Sequence, residues 1–267
     1  MKSLHHPDFE RDACGFGLVA RLNGQADDGI LADALTALTR LTHRGAVAPD
    51  GKTGDGCGIL MRLPVEFLRG AAAEAGFDTG PRFAVGMVFL DSDDDLAARQ
   101  RQSLEEALAE RELSVAGWRE VPTNPQALGD PARQSCPRIE QIFVRTPDNL
   151  DEASFERALF IARRRAEAGN EAGKLYIASL SCRTVAYKGM VMPEYLAEFY
   201  PDLVDPRLET SVVVFHQRFS TNTLPRWELA QPFRMLAHNG EINTIRGNRN
   251  WTRARRKLLS SPLLREL

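Results

Sequence analysis

Residues 215–251 read FHQRFSTNTLPRWELAQPFRMLAHNGEINTIRGNRNW. The stretch opens inside an apolar run, residues 211–220, whose β-branched and aromatic content predicts a strand. Arg218 stands near the end of that run. A guanidinium there either faces solvent or grips a carboxylate with its forked donor set. Ser220, Thr221 and Asn222 follow closely and offer further donors to the same oxygens. A second apolar run, residues 233–238, predicts another strand, and Asn239-Gly240 comes next. Asn-Gly after a strand reads as a hairpin turn. It also reads as two neutral donors, the Asn side-chain amide and the Gly N–H, converging on a developing oxyanion, with glycine permitting close approach of the backbone.

Working outward, further apolar runs predict strands at residues 15–20, 57–63, 83–90, 139–145 and 175–187. Helical spacing of Ile30, Leu31, Ala34, Leu35, Leu38 and Leu41 predicts a helix over residues 28–42. Residues 94–113 and 152–168 carry the same character. Strands come in groups, without regular β-α-β alternation and without a G-x-G-x-x-G after a strand. That pattern argues against a doubly wound dinucleotide fold and for layered α+β with mostly antiparallel sheets. Pro122, Pro125, Pro131 and Pro137 punctuate residues 122–138, which read as an exposed loop excursion.

The bulk numbers exclude several classes. The chain of 267 residues is 43% hydrophobic and 26% charged, enough apolar material for a sizeable core without metal or disulfide staples. A net charge of -2 offers no case for nucleic acid or an anionic membrane. The basic segment from Arg246 to Lys257 reads as a solvated or interface helix, because Trp251 alone gives no stacking platform. Arg163, Arg164 and Arg165 read as the wet face of another helix. No apolar run approaches a membrane span, and the start, MKSLHHPDFERDA, is too polar for a secretory signal. A cytoplasmic setting is expected.

The four cysteines, Cys14, Cys57, Cys136 and Cys182, form no C-x-x-C, so neither a metal site nor a disulfide framework is expected from them. Cys14 opens the first predicted strand. Taken by residue type it is a small buried thiol at a strand start. It has a second reading as a nucleophile. A thiol needs a base, and an N-terminal residue carries its own: an α-amine titrating near ~8. That route requires removal of residues 1–13, a polar leader with little to pack against.

Four segments occur in a telling order: Cys14-Gly15-Phe16-Gly17; His43-Arg44-Gly45 with Gly54-Asp55-Gly56-Cys57-Gly58; FHQRFSTNT; and LAHNGEIN. Together they resemble the class II glutamine amidotransferases, which are N-terminal nucleophile hydrolases. The 215–251 text, with ERDACGFGLVA and HRGAVAPDGKTGDGCGIL, is most similar to the glutamate synthase branch of that family, over nearly the whole chain from about residue 8. The resemblance implies a four-layer αββα sandwich of two antiparallel sheets, and a leader at 1–13 ahead of an amidotransferase domain at 14–267. It implies that Cys14 attacks the side-chain amide of glutamine, that its α-amine shuttles the proton, and that Asn239 and Gly240 stabilise the oxyanion. Arg218 would grip the substrate α-carboxylate with Thr221 nearby. Ammonia would pass to a synthase domain of the same full-length chain that aminates 2-oxoglutarate. That domain would use FMN and an iron–sulfur cluster, with electrons from a reductase subunit or ferredoxin; none of this machinery lies in these residues.

One departure stands out. The family holds the glutamine α-amino group with an aspartate placed after the Asn-Gly segment, and no residue after Gly240 is an aspartate. Together with the apolar residues of LLSSPLLREL, this reads as a domain cut short at its C-terminal end. Two other readings stay open: a non-catalytic binding or regulatory module on the same fold, and an N-terminal nucleophile acylase acting on another substrate.

Overall fold

The computed structural model describes residues 15–169, 175–217, 224–233, 245–258 and 260–264. Eight strands form two four-stranded sheets. In chain order the elements are β1 (Gly15–Ala20), α1 (Gly29–Arg40), β2 (Cys57–Arg62), α2 (Val65–Glu74), β3 (Phe83–Leu90), α3 (Asp94–Ala109), β4 (Ser114–Glu120), α4 (Asp130–Gln134), β5 (Arg138–Arg145), α5 (Glu152–Gly169), β6 (Tyr176–Ser181), β7 (Thr184–Gly189), α6 (Leu196–Phe199), β8 (Val212–Gln217) and α7 (Ile245–Arg255). The first sheet has the order β1-β8-β2-β7 and the second β4-β5-β3-β6. Every pair in both is antiparallel. The α+β class and the antiparallel sheets expected from the sequence are therefore found.

Alternation along the strands builds the layers. Ile59, Tyr187 and Phe215 stand side by side across the first sheet, in one core with Val85, Met87, Phe89 and Phe143 of the second. The alternate residues of the second sheet, Ala84, Val88, Ile142 and Val144, form a separate core with Leu104 and Leu108 of α3 and Phe155, Leu159 and Ala162 of α5. β3, buried at all eight positions, lies between the two cores. α1 contributes Leu31, Ala34 and Leu38 to the inter-sheet core. Over β1, Phe16 and Leu18 remain 61% and 63% exposed, so the described residues build no helical layer on that outer face.

A buried polar network ties the sheets together. Arg119 of β4 donates two hydrogen bonds to the Asp202 carboxylate, at 2.8 and 2.7 Å. The Tyr187 hydroxyl donates to the same carboxylate at 2.8 Å, and Gln141 bridges Arg119 and Tyr187 at 2.8 and 3.1 Å. Burial works against the Arg119 charge, but the hydrogen bonds and charge of Asp202 outweigh it and hold the guanidinium above its ordinary pKa.

Three expectations need correction. The single strand at 175–187 is a hairpin, β6 and β7, whose halves belong to different sheets. Its turn is set by Ser181, whose hydroxyl accepts from Arg183 N and Thr184 N at 2.9 and 3.3 Å. The loop at 122–138 is no exposed excursion: Ala127, Leu128 and Ala132 are buried in the inter-sheet core, and α4 forms with Pro131 in its first turn. Finally, α2 and β4 occupy segments from which no element was expected. α2 is short and half of its buried face is alanine, and β4 is half-exposed with Gly117 at its centre, which breaks its alternation. The expected strand at 233–238 lies, beyond Phe233, outside the described residues.

Candidate active site

The first three motif segments meet at one end of the first sheet. Gln217, the last residue of β8, is paired on one side with Gly15 of β1 and on the other with Cys57 of β2. The Gln217 side chain is buried and points into the loop between α1 and β2. A Cβ on Gly45 would fall 1.9 Å from Gln217 Nε2 and 3.2 Å from Asp55 Oδ1. Only glycine leaves room for that packing, which brings HRG, GDGCG and FHQ into direct contact.

The intervening loop is folded onto itself. Ala48 N donates to Thr53 O at 2.8 Å and Asp55 N to Ala46 O at 3.2 Å. The Asp50 carboxylate accepts from Thr53 Oγ1, Thr53 N and Lys52 N at 2.6, 2.8 and 3.0 Å. Those bonds, the Thr53 hydroxyl first, hold Asp50 below the usual carboxylate range. Asp55 is buried beside Gln217. This end of the sheet is thus a fixed platform, set by backbone pairing and short side-chain bonds.

Cys14 and Arg218 are the chain neighbours of the paired residues Gly15 and Gln217. They lie outside the described residues, as do Thr221, Asn239 and Gly240. The approach to the last two is described in part. Residues 224–233 run past β2 and β7, with Trp227 and Ala230 buried. Trp227 Nε1 donates to Ala132 O at 3.2 Å.

The three described cysteines are free thiols. Burial first, and the charge of Asp55 second, push the Cys57 thiol far above its ordinary pKa. Burial pushes Cys136 and Cys182 up to about 12. A nucleophilic cysteine needs the opposite shift, so these three are inert packing residues, as expected from their type. Among the described residues no group of three or more His, Cys, Asp or Glu is placed to hold a metal ion. No described helix is long and apolar enough to cross a membrane.

Sequence reasoning missed Lys188. It lies in β7 with its side chain fully buried, and its amine reaches the carbonyls of the 224–233 segment. The signal was present as a lone lysine in the apolar text TVAYKGMVM, immediately past the end of the expected strand.

A family model described as glutamine amidotransferases class-II matches residues 14–267. The chain belongs to that family. It is 42% identical over 265 residues to a glutamate synthase (NADPH) large chain of Azospirillum brasilense, covering 97% of this chain and 18% of that protein. It is 44% identical over 253 residues to ferredoxin-dependent glutamate synthase 2 of Synechocystis sp., covering 94% and 16%. A chloroplastic ferredoxin-dependent glutamate synthase of Spinacia oleracea is 42% identical over 262 residues, with 96% and 16% covered. The chain spans less than a fifth of the length of these relatives.

Proposed function

We propose that this chain is the glutaminase part of a glutamate synthase. Cys14, freed by loss of residues 1–13, is the nucleophile. Its thiol proton passes to its own α-amine, and the thiolate attacks the side-chain carbonyl carbon of glutamine. The amide nitrogen takes that proton and leaves as ammonia. Water then cleaves the thioester and releases glutamate. Asn239 and Gly240 donate to the oxyanion in both steps, and Arg218, with Thr221, grips the substrate α-carboxylate.

One observation carries this reading: Gly15 and Gln217 are register partners. The proposed nucleophile and the proposed carboxylate clamp are each one peptide bond from that pair, although Gln217 lies 202 positions after Gly15 in the chain (217 minus 15). Hydrolysis of glutamine by the chain beginning at Cys14, lost in Cys14→Ser, is the direct test.

The relatives' names, glutamate synthases dependent on NADPH or on ferredoxin, support the wider setting. In it, ammonia is delivered to a synthase domain of a longer chain that uses FMN and an iron–sulfur cluster, with electrons from a reductase subunit or ferredoxin. Residues 14–267 would then form the amidotransferase part of that chain. Three free thiols among the described residues fit a reducing cytoplasmic setting, and a role in ammonia assimilation follows from the glutaminase reading itself.

A further inference from the structure

We propose that Lys188 is a positioning residue for the glutaminase reaction: it clamps residues 228–230 to the floor made by β2 and β7, and so fixes the segment that delivers Asn239 and Gly240. The inference rests on the reading of the site given above.

Lys188 Nζ lies 2.6 Å from Ala230 O, 3.3 Å from Glu228 O and 2.8 Å from the Tyr176 hydroxyl. It also sits over two rings, 4.3 Å from the centroid of Phe233 and 4.8 Å from that of Tyr176. Three of these contacts, to Glu228, Ala230 and Phe233, are to one short stretch of chain. An amine that bonds two carbonyls two residues apart and caps the ring beyond them holds that stretch in one conformation.

The floor is shaped to accept it. A Cβ on Gly58 would fall 2.4 Å from Lys188 Cβ and 2.8 Å from Gln231 O. On Gly189 it would fall 2.3 Å from the Trp227 ring. Backbone and the lysine stem thus occupy the space that a side chain at 58 would fill, and the Trp227 ring occupies the space at 189. Gly58 belongs to the same GDGCG text whose Cys57 pairs with Gln217, so the clamp and the nucleophile end share one strand.

A fully buried amine is costly unless it is hydrogen-bonded, and the three oxygens around Lys188 Nζ supply those bonds. Burial pushes the Lys188 pKa down to about 7, with the nearby Arg163 charge acting the same way and Glu228 opposing. Both protonation states satisfy the site. The ammonium donates to all three oxygens. The neutral amine donates to the two carbonyls and accepts from the Tyr176 hydroxyl.

The test is Lys188→Met in the full chain, which keeps the stem and deletes the donors. Because the clamp acts on the oxyanion segment and not on Arg218, kcat for glutamine hydrolysis should fall on the order of 100-fold, with KM held within about 3-fold. Amide exchange at residues 227–233 should accelerate while β3 and β5 stay protected. Unchanged kcat, a loss carried by KM, or unchanged exchange at 227–233 would overturn the proposal. If Lys188→Met does not fold, Tyr176→Phe removes one partner and keeps the ring. It should lower kcat by roughly 3- to 10-fold at constant KM, as misplacement smaller than full release demands; no change there also overturns it. A parent chain that does not hydrolyse glutamine would sink the glutaminase reading itself, and exchange at 227–233 would still decide whether Lys188 holds the segment.

Discussion

Gly15 and Gln217 face each other across β1 and β8, and Cys57 flanks Gln217 on its other side. The residues that continue these two strands in the chain are Cys14 and Arg218. A nucleophile and a carboxylate clamp attached at one end of one sheet can address the two ends of a single small amino acid. In the proposed mechanism the division of labour follows from that placement, with Asn239 and Gly240 coming from the sequence beyond Phe233.

Substitutions at the clamp and at the oxyanion donors should therefore separate in kinetics. Arg218→Lys should mainly raise KM for glutamine, since an ammonium cannot reproduce the fork. Asn239→Ala should lower kcat on the order of 100- to 1000-fold with little change in KM. Steady-state kinetics of the two variants check this. Near-normal turnover in Asn239→Ala would leave the Asn-Gly pair as a turn only.

The Arg119–Asp202 pair should be a stability determinant with no direct part in turnover. Their side chains are 11% and 5% exposed, and Tyr187 and Gln141 complete the network. Asp202→Ala strands the guanidinium and should cost about 3–5 kcal/mol, read by denaturant unfolding. A loss under about 1 kcal/mol would mean that water reaches Arg119.

The buried amine of Lys188 should leave a pH signature in stability. Burial lowers its folded pKa to about 7 from its ordinary value of 10.5. Between those values the unfolded chain holds a proton that the folded chain has lost, so stability rises with pH across the window. The Tm of the parent chain minus that of Lys188→Met should become more favourable to the parent from pH 7 to about 9.5, because the other titrations cancel in the difference. A flat difference would show that Lys188 stays charged in the fold.

Much of this architecture was legible where one periodicity dominated. β1, β3, β5, α1 and α5 were expected nearly where they occur, because each has an uninterrupted apolar run or a clear helical stripe. The β6–β7 hairpin was read as one strand, since the Ser181–Thr184 turn uses neither glycine nor proline and is held by a serine hydroxyl. Residues 122–138 were read as exposed because prolines signal loops, yet a loop that fills a core is set by tertiary contacts that no local pattern records. At the site, the motif text names the candidate residues, all of which lie outside the described residues, while Lys188 escapes it: a lone buried lysine is recognisable only when the carbonyls it binds, 40 and 42 residues away in sequence, are seen beside it.

The central claim is that Cys14, with a free α-amine, hydrolyses glutamine. The deciding measurement is glutamate release from glutamine by purified protein whose N-terminus is established by mass spectrometry, compared with Cys14→Ser and with a form retaining residues 1–13. The expected result is turnover only when the chain begins at Cys14, and none in Cys14→Ser, because with Ala13 attached the nitrogen is an amide and accepts no proton. Turnover in the form that retains residues 1–13, or in Cys14→Ser, would contradict it.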